Sequence, residues 1–580
     1  MAAIISALDN HTSKQFGENG HVEYGWSNNI QEKILQFSFQ VTRTNRAQLD
    51  NLSDILRDLL TTLKSKVTMG SLPEREVAKG YLSMLYRMIG HTRDIIDGKG
   101  EYALSYMMLY TWYDFYPELA KYAVKCFVDL GDKKTHPYGS WKDIKYVCEY
   151  CKSCGAGVSH PFTQYAIQLV NEQLAKDMVA EPQDISLAAK WAPREKSSFG
   201  WLYEAHACSY FSEFMDTAVT VEKKHKAMLK CKTQYRKLLS TLNKKLDTVQ
   251  IKQCGFDWSE IDFNKVTSIS LAKQKHAFLN IKNDRTTRFP ENADRIVCAE
   301  HFRAHIQKAA SGSIEMKGKR ISMGNFTKQA QELLTNMNPD EMNLDEMNLL
   351  NSQWRDNATQ NGALGKMIAM VDVSGSMDGE PMEVAIALGI RIAEKSALGK
   401  RIMTFSSSPT WVNLEACPDF ISMVKVVSHA PWGMNTNFRE ALQMILDAII
   451  ENKMPPEDVQ DMVLVVLSDM QMDAGDNCDK KALYEYMENV YATAGVRVFG
   501  KPYKPPHILF WNLRSTCGFP ALSNQSNCSM VSGFSPTLLN LFCDKGLASL
   551  QAYTPWSILE KTLENERYNI MRDKLEGLIE

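Results

Sequence analysis

The sequence predicts a multidomain protein: an all-α, helical-repeat (solenoid-like) N-terminal domain, then a C-terminal α/β domain with a largely parallel sheet. Three observations predict it. From about residue 30 to 335 apolar residues recur at helical spacing. After about 363, short apolar runs alternate with amphipathic segments, the pattern of parallel strands covered by helices on both faces. At 580 residues, the chain is long enough for two or more domains.

Taken in order, residues 1–25 are polar with little periodicity and are expected to be a flexible N-terminus. The helical-repeat domain is expected over 26–337. Within 48–66, Leu49, Leu52, Ile55, Leu56, Leu59, Leu60 and Leu63 fall on one helical face. Similar patterns predict helices over 74–89, 101–112, 117–130, 141–150 and 161–180, separated by breakers such as Gly98-Lys99-Gly100 and Pro137-Tyr138-Gly139. Short helices with short connections fit stacked helix pairs. Residues 338–362 form a polar linker with a local duplication, Asp340-Glu341-Met342-Asn343-Leu344 followed by Asp345-Glu346-Met347-Asn348-Leu349. The α/β domain is expected over 363–545, with strands at 366–371, 401–405, 462–467, 507–512 and 529–532 and helices at 381–396, 438–452 and 480–492. A C-terminal amphipathic helix within 546–580 is expected to dock back.

Composition excludes some classes of function. Hydrophobic content of 44% and charged content of 23% are ordinary for a globular protein. A net charge of −2 gives no global pull toward nucleic acid or anionic membrane. There is no apolar run of 18 residues, so no membrane span is expected. The first ten residues lack a basic and apolar leader. Thirteen scattered cysteines read as free thiols in a reducing compartment, which places the protein in the cytoplasm. Cys148, Cys151 and Cys154 have zinc-like spacing, with His136 and His160 nearby. No second pair lies close by, so they read as thiols on a helix end and not as a zinc site.

The sharpest motif is Asp372-Val373-Ser374-Gly375-Ser376, which follows the apolar run 367–371. It offers a carboxylate and two hydroxyls at one strand end, with a glycine to make the turn. Such oxygen donors suit a hard divalent cation, Mg2+ or Mn2+. Two further oxygens stand at strand–helix junctions downstream. Thr436 precedes an amphipathic helix, and Asp469 ends the apolar run 462–468. Strand carboxyl ends are where parallel sheets bind ligands.

These five positions resemble the metal-ion-dependent adhesion site of the von Willebrand factor A fold. The resemblance implies that Asp372, Ser374, Ser376, Thr436 and Asp469 surround one cation with a coordination position left open. A carboxylate from a protein partner, or a phosphate, would fill that position. Segments elsewhere carry a second resemblance: Gly98-Lys99-Gly100-Glu101-Tyr102-Ala103, Tyr138-Gly139-Ser140-Trp141-Lys142-Asp143, Leu187-Ala188-Ala189-Lys190-Trp191-Ala192-Pro193-Arg194 and Phe510-Trp511-Asn512-Leu513-Arg514. They look like an uncharacterised family of cytosolic proteins from plants, fungi and large DNA viruses that joins a helical N-terminal region to a C-terminal A domain. If this chain itself came from a large DNA virus, packaging in a virion would be expected. More distantly, the layout is similar to the Ro (TROVE-module) RNA-binding proteins.

Charge patterning supports a second expectation. Lys223, Lys224, Lys226, Lys230, Lys232, Arg236 and Lys237 fall in one stretch without an Asp or Glu among them, and Lys190 and Arg194 precede them with Trp191 and Trp201 interleaved. Basic groups neutralise phosphates and aromatic rings stack on unpaired bases, so structured or single-stranded RNA is the alternative partner. An enzyme is not expected. There is no G-x-x-x-x-G-K-[ST], H-E-x-x-H or G-x-S-x-G motif. Ser374 stands where an aspartyl-phosphate phosphatase has its second Asp, and a hydroxyl cannot do that acid–base work near neutral pH.

Overall fold

The computed structural model describes residues 14–132, 134–335, 344–406, 408–431, 433, 437–471, 483–543, 550 and 552–579. The chain divides into two compact units. The first comprises Met1–Ile55, Thr267–Lys275 and Ala304–Glu566, and the second Leu56–Val266, His276–Arg303 and Arg567–Glu580.

The first unit holds the strands. β1 (Lys14–Phe16) and β2 (Val22–Tyr24) pair as an antiparallel hairpin, with Gln15 opposite Glu23. The sequence reads as flexible there because three-residue strands carry too little periodicity to register. β3 (Met367–Asp372), β4 (Arg401–Phe405), β5 (Thr410–Asn413), β6 (Val463–Ser468), β7 (His507–Asn512) and β8 (Cys528–Ser532) form a six-stranded sheet in the order β5-β4-β3-β6-β7-β8. Every neighbouring pair is parallel except β4 and β5. β3, β6 and β7 are buried along their whole length, so they read as unbroken apolar runs instead of alternating ones.

From β3 the chain winds outward through β4 to β5. It then returns to the other side of β3 and continues outward through β6, β7 and β8. The winding reverses between β3 and β6, and the carboxyl ends of those two strands open a crevice there. The helix Glu380–Lys395 lies against β3 at very short range. A Cβ on Gly389 would stand 2.5 Å from Val371 Cγ2, so only glycine permits this approach.

The boundary between units departs from the expected one. The stretch read as a linker contains the helix Leu344–Ala358, which belongs to the sheet unit. Its Trp354 stacks on Phe420 at 3.9 Å, and the Arg391 guanidinium lies 3.8 Å from the Trp354 ring centre. Trp354 Nε1 donates to Glu394 at 3.1 Å. The helix Met323–Thr335 belongs there as well: Thr327 Oγ1 donates to the Glu383 carbonyl at 2.7 Å, and Phe326 enters the sheet's core. Few but large apolar side chains anchor these segments, and the polar residues around them conceal which unit they join.

The second unit is helical. Its elements include Leu72–Arg93, Ala103–Phe115, Pro117–Cys126, Trp141–Ser153, Pro161–Val179, Gly200–Tyr210 and Val221–Leu246. It holds a buried ion pair: Arg93 Nε and Nη2 donate to the two oxygens of Asp143 at 2.7 and 2.8 Å. Tyr106 and the Ser140 amide also donate to Asp143, at 2.6 and 2.7 Å. The C-terminal segment is two helices instead of one: Pro555–Leu563 belongs to the sheet unit and Asn569–Glu576 to the helical unit. Arg567 grips Asp94 with two bonds of 2.8 Å, and Tyr568 donates to the same carboxylate at 3.1 Å.

Burial pushes His91 and His206 down to about 3, so both are neutral in the folded unit. The unfolded chain protonates them near 6.5, so acid favours unfolding. The contribution of these two histidines to the helical unit's stability should be flat above pH 6.5 and fall on acidification toward pH 3, by about 1.4 kcal/mol per pH unit for each histidine. Urea unfolding followed at several pH values checks this, and His206→Gln should remove one histidine's share of the slope.

Candidate divalent-cation site

Asp372 is the last residue of β3 and is fully buried. Its Oδ1 accepts from the Ser374 amide at 2.9 Å and its Oδ2 from Ser468 Oγ at 2.6 Å. The chain turns at once into a short 3-10 segment, Gly375–Met377. That turn brings Ser374 Oγ and Ser376 Oγ to 3.1 Å from one another. Ser374 is buried and Ser376 half-buried.

Asp469 follows β6 and is also fully buried. Its Oδ1 accepts from the Gln471 amide at 3.1 Å. Met470 between them has a φ of 64°, a left-handed conformation uncommon for such a side chain. Ser468 Oγ accepts from the Met470 amide at 3.0 Å and so supports the turn while holding Asp372. The β1–β2 hairpin secures the far end: Glu18 donates its amide to Gln471 Oε1 at 2.8 Å, and Asn19 Nδ2 donates to the Gln471 carbonyl at 2.9 Å.

Arg514 ties the two carboxyl ends together. Its Nη1 donates to the Ser376 carbonyl at 3.0 Å and lies 3.3 Å from Asp469 Oδ2. Burial, and then the charge of Asp469, push the Asp372 carboxyl up to about 7, against the hydrogen bonds from Ser374 and Ser468. Asp469 has the Arg514 guanidinium beside it, whereas Asp372 is held by the Ser374 amide and the Ser468 hydroxyl. An open cavity of about 470 Å3 lies above, lined by Arg43, Gln48, Ser376, Asp378 and Arg514 among others.

Asp372, Ser374, Ser376 and Asp469 therefore converge at the reversal point of the sheet. Thr436 lies outside the described residues. The residues flanking it are placed: Gly433 bridges to Ser374, and the Asn437 amide donates to the Ser406 carbonyl at 2.8 Å. Among the described residues no group of three or more His, Cys, Asp or Glu side chains forms a ligand cluster, so a cation here would depend on the serine hydroxyls. Ser468, Gln471 and Arg514 escape a motif reading. A serine before an aspartate and an arginine after β7 signal nothing until the strands are set side by side.

The basic candidates divide between two places. Lys223, Lys224, Lys226, Lys230, Lys232, Arg236 and Lys237 lie on the helix Val221–Leu246. Several have acidic partners from other segments or the adjacent turn. Lys226 pairs with Glu222 at 2.7 Å, Lys232 with Glu195 at 3.0 Å and Glu204 at 3.7 Å, and Arg236 with Glu195 at 3.6 Å. Lys230 lies 3.8 Å from the Phe214 ring centre. Lys190 lies in a short helix, Ala188–Trp191, and Arg194 follows it. Cys148 and Cys151 are buried, with burial driving the Cys148 thiol well up and Cys151 to about 12, so both stay protonated. His136 is exposed and bonds to the Pro137 carbonyl.

Residues 366–575 match a family described as a domain of unknown function (DUF7788), and residues 158–365 match a second domain of unknown function (DUF2828). The chain is also similar to an uncharacterized protein, L728, of Acanthamoeba polyphaga mimivirus. The two are 27% identical over 568 residues, which cover 95% of this chain and 87% of the viral one. Among the described residues no helix is long and apolar enough to cross a membrane. The two matched regions adjoin at residues 365 and 366, and the similarity to the viral protein runs across both.

Proposed function

We propose that this chain is a non-enzymatic binding protein whose sheet unit holds one Mg2+ or Mn2+ and uses it to capture an acidic group of a protein partner. The reading is that of a von Willebrand factor A-type adhesion site. Asp372, Ser374, Ser376 and Asp469 would hold the ion, with Thr436 completing the set. One observation carries it. Two buried carboxylates stand with two hydroxyls at the strand reversal, and among the described residues the cation paired with either is Arg514, on Asp469. All donors are oxygens, the preference of a hard cation. Neutral serines add no charge, so a bound ion would remain electrophilic toward an incoming carboxylate. Arg514 stands at the rim, where it can exchange Asp469 for the partner's acid.

Titrating the full chain with Mn2+ by electron paramagnetic resonance tests this. One equivalent should bind, Mg2+ should compete, and Ser374→Ala with Ser376→Ala should weaken binding at least ten-fold while leaving both carboxylates in place. Absence of saturable Mn2+ binding to the wild-type chain would overturn the proposal.

A further inference from the structure

We propose that the helical unit carries a binding site for single-stranded nucleic acid, formed by Lys142, Lys145 and Lys190 over the rings of Tyr102, Tyr146 and Trp191. It is independent of the cation site. Arg194 adds charge beside Lys145. Lys142 and Lys145 stand three residues apart on the helix Trp141–Ser153, one turn from one another. Lys142 Nζ lies 5.2 Å from the centres of both Tyr102 and Tyr146 and 5.8 Å from that of Trp191. Lys145 Nζ lies 5.2 Å from Trp191 and 5.3 Å from Phe199. Lys190 joins them at 5.8 Å from the same Trp191 ring. Only Lys190 and Arg194 are prominent in the sequence; the helix beside them supplies the other two cations.

The cluster is unbalanced. Among the described residues no carboxylate pairs with Lys142, Lys145, Lys190 or Arg194. The acids on the same helix are engaged: Asp143 is held by Arg93, and Glu149 accepts from Trp201 Nε1 at 3.2 Å. This contrasts with Lys226, Lys232 and Arg236, which have acidic partners. Burial first, then the charges of Lys142 and Arg194, lower Lys145 from its ordinary value. The unit thus keeps like charges together where an anion would relieve them. The rings are accessible too, with Tyr102 38% and Tyr146 36% exposed.

Aromatic faces and surplus cations select the ligand class. An acidic peptide would use the charges and leave the rings idle. A phosphodiester strand offers both a repeating anion and unpaired bases to stack. The lysines already resting on the rings would move to phosphate as bases take their place.

Fluorescence anisotropy of the full chain with labelled twelve-nucleotide oligouridylate and oligodeoxythymidylate tests this. Binding should weaken with salt, with a slope of about −2 to −3 in the log–log plot for three to four phosphate contacts. Lys142→Gln with Lys145→Gln should cost at least ten-fold and flatten the slope by about 1.4, and arginines at both positions should restore it. Tyr146→Ala should weaken binding without changing the slope. A preference between the two oligomers identifies RNA or DNA as the natural strand. No binding at 50 mM salt overturns the proposal, and so does unchanged affinity in a Lys142→Gln, Lys145→Gln protein with the wild-type melting curve. Equal competition by polyglutamate, together with no effect of Tyr146→Ala, also overturns it and marks an acidic-protein surface.

Discussion

Asp372→Asn should abolish stabilisation by Mg2+ and, in chelator, make the protein more stable than wild type above neutral pH. Both effects follow from one buried carboxyl. In the folded protein Asp372 keeps its proton up to about 7, whereas an unfolded chain releases it near 3.8. Between those values the folded state binds more protons, so this residue's contribution to stability falls as pH rises. The fall is about 1.4 kcal/mol per pH unit and is complete once pH passes 7. Asparagine has the same shape and no proton to lose, so the variant lacks this decline. A divalent ion relieves the same penalty in wild type. At a hundred times its dissociation constant it adds about 2.7 kcal/mol, and the variant gains nothing comparable. Thermal melts at pH 5, 6.5 and 8, each with chelator and with 10 mM Mg2+, measure both effects. Parallel curves for the two proteins under all six conditions would remove Asp372 from the site.

Asp143→Ala should destabilise the helical unit by about 3–5 kcal/mol, the cost typical of stranding one member of a buried ion pair. Asp143 is fully buried and accepts from Arg93 twice, from Tyr106 and from the Ser140 amide. Removing it leaves a guanidinium without a counter-charge in a site that water does not reach. It also takes the reciprocal cap from the helix Trp141–Ser153, whose first turn Asp143 closes on Ser140. Arg93→Ala should cost less than Asp143→Ala, because the remaining carboxylate keeps Tyr106 and Ser140 as donors. Chemical denaturation of the three proteins ranks them, and the reverse order would show that the stranded charge, not the cap, dominates.

The parts of this fold legible in the sequence are those whose burial is complete or one-sided. β3, β6 and β7 are enclosed on both faces and show as apolar runs, and the helix Phe438–Glu451 shows its single buried face. The four-residue β5 does not, because it sits at the sheet's edge with Trp411 45% exposed and little apolar pattern. Asp372 and Asp469 are legible because each ends such a run. Arg514 and Ser468 are not, since their roles exist only across strands. The acids that neutralise Lys232 and Arg236 likewise lie in segments remote from the basic stretch. A gap in the charge pattern along the chain is no gap in space.

The helix Ile30–Gln40 finds its hydrogen-bond partners at the opposite end of the chain. Asn512 donates to the Phe39 carbonyl 473 residues upstream, and the Ser523 amide donates to Glu32. During synthesis the early segment therefore leaves the ribosome long before anything it can bind. At translation rates of about 5–20 residues per second, the wait is roughly half a minute to a minute and a half. For that interval Ile34, Leu35, Phe37 and Phe39, all buried in the finished fold, are exposed on a nascent chain. The sheet unit is therefore completed only after Asn512 and Ser523 have been made, with the apolar face of this early helix uncovered until then.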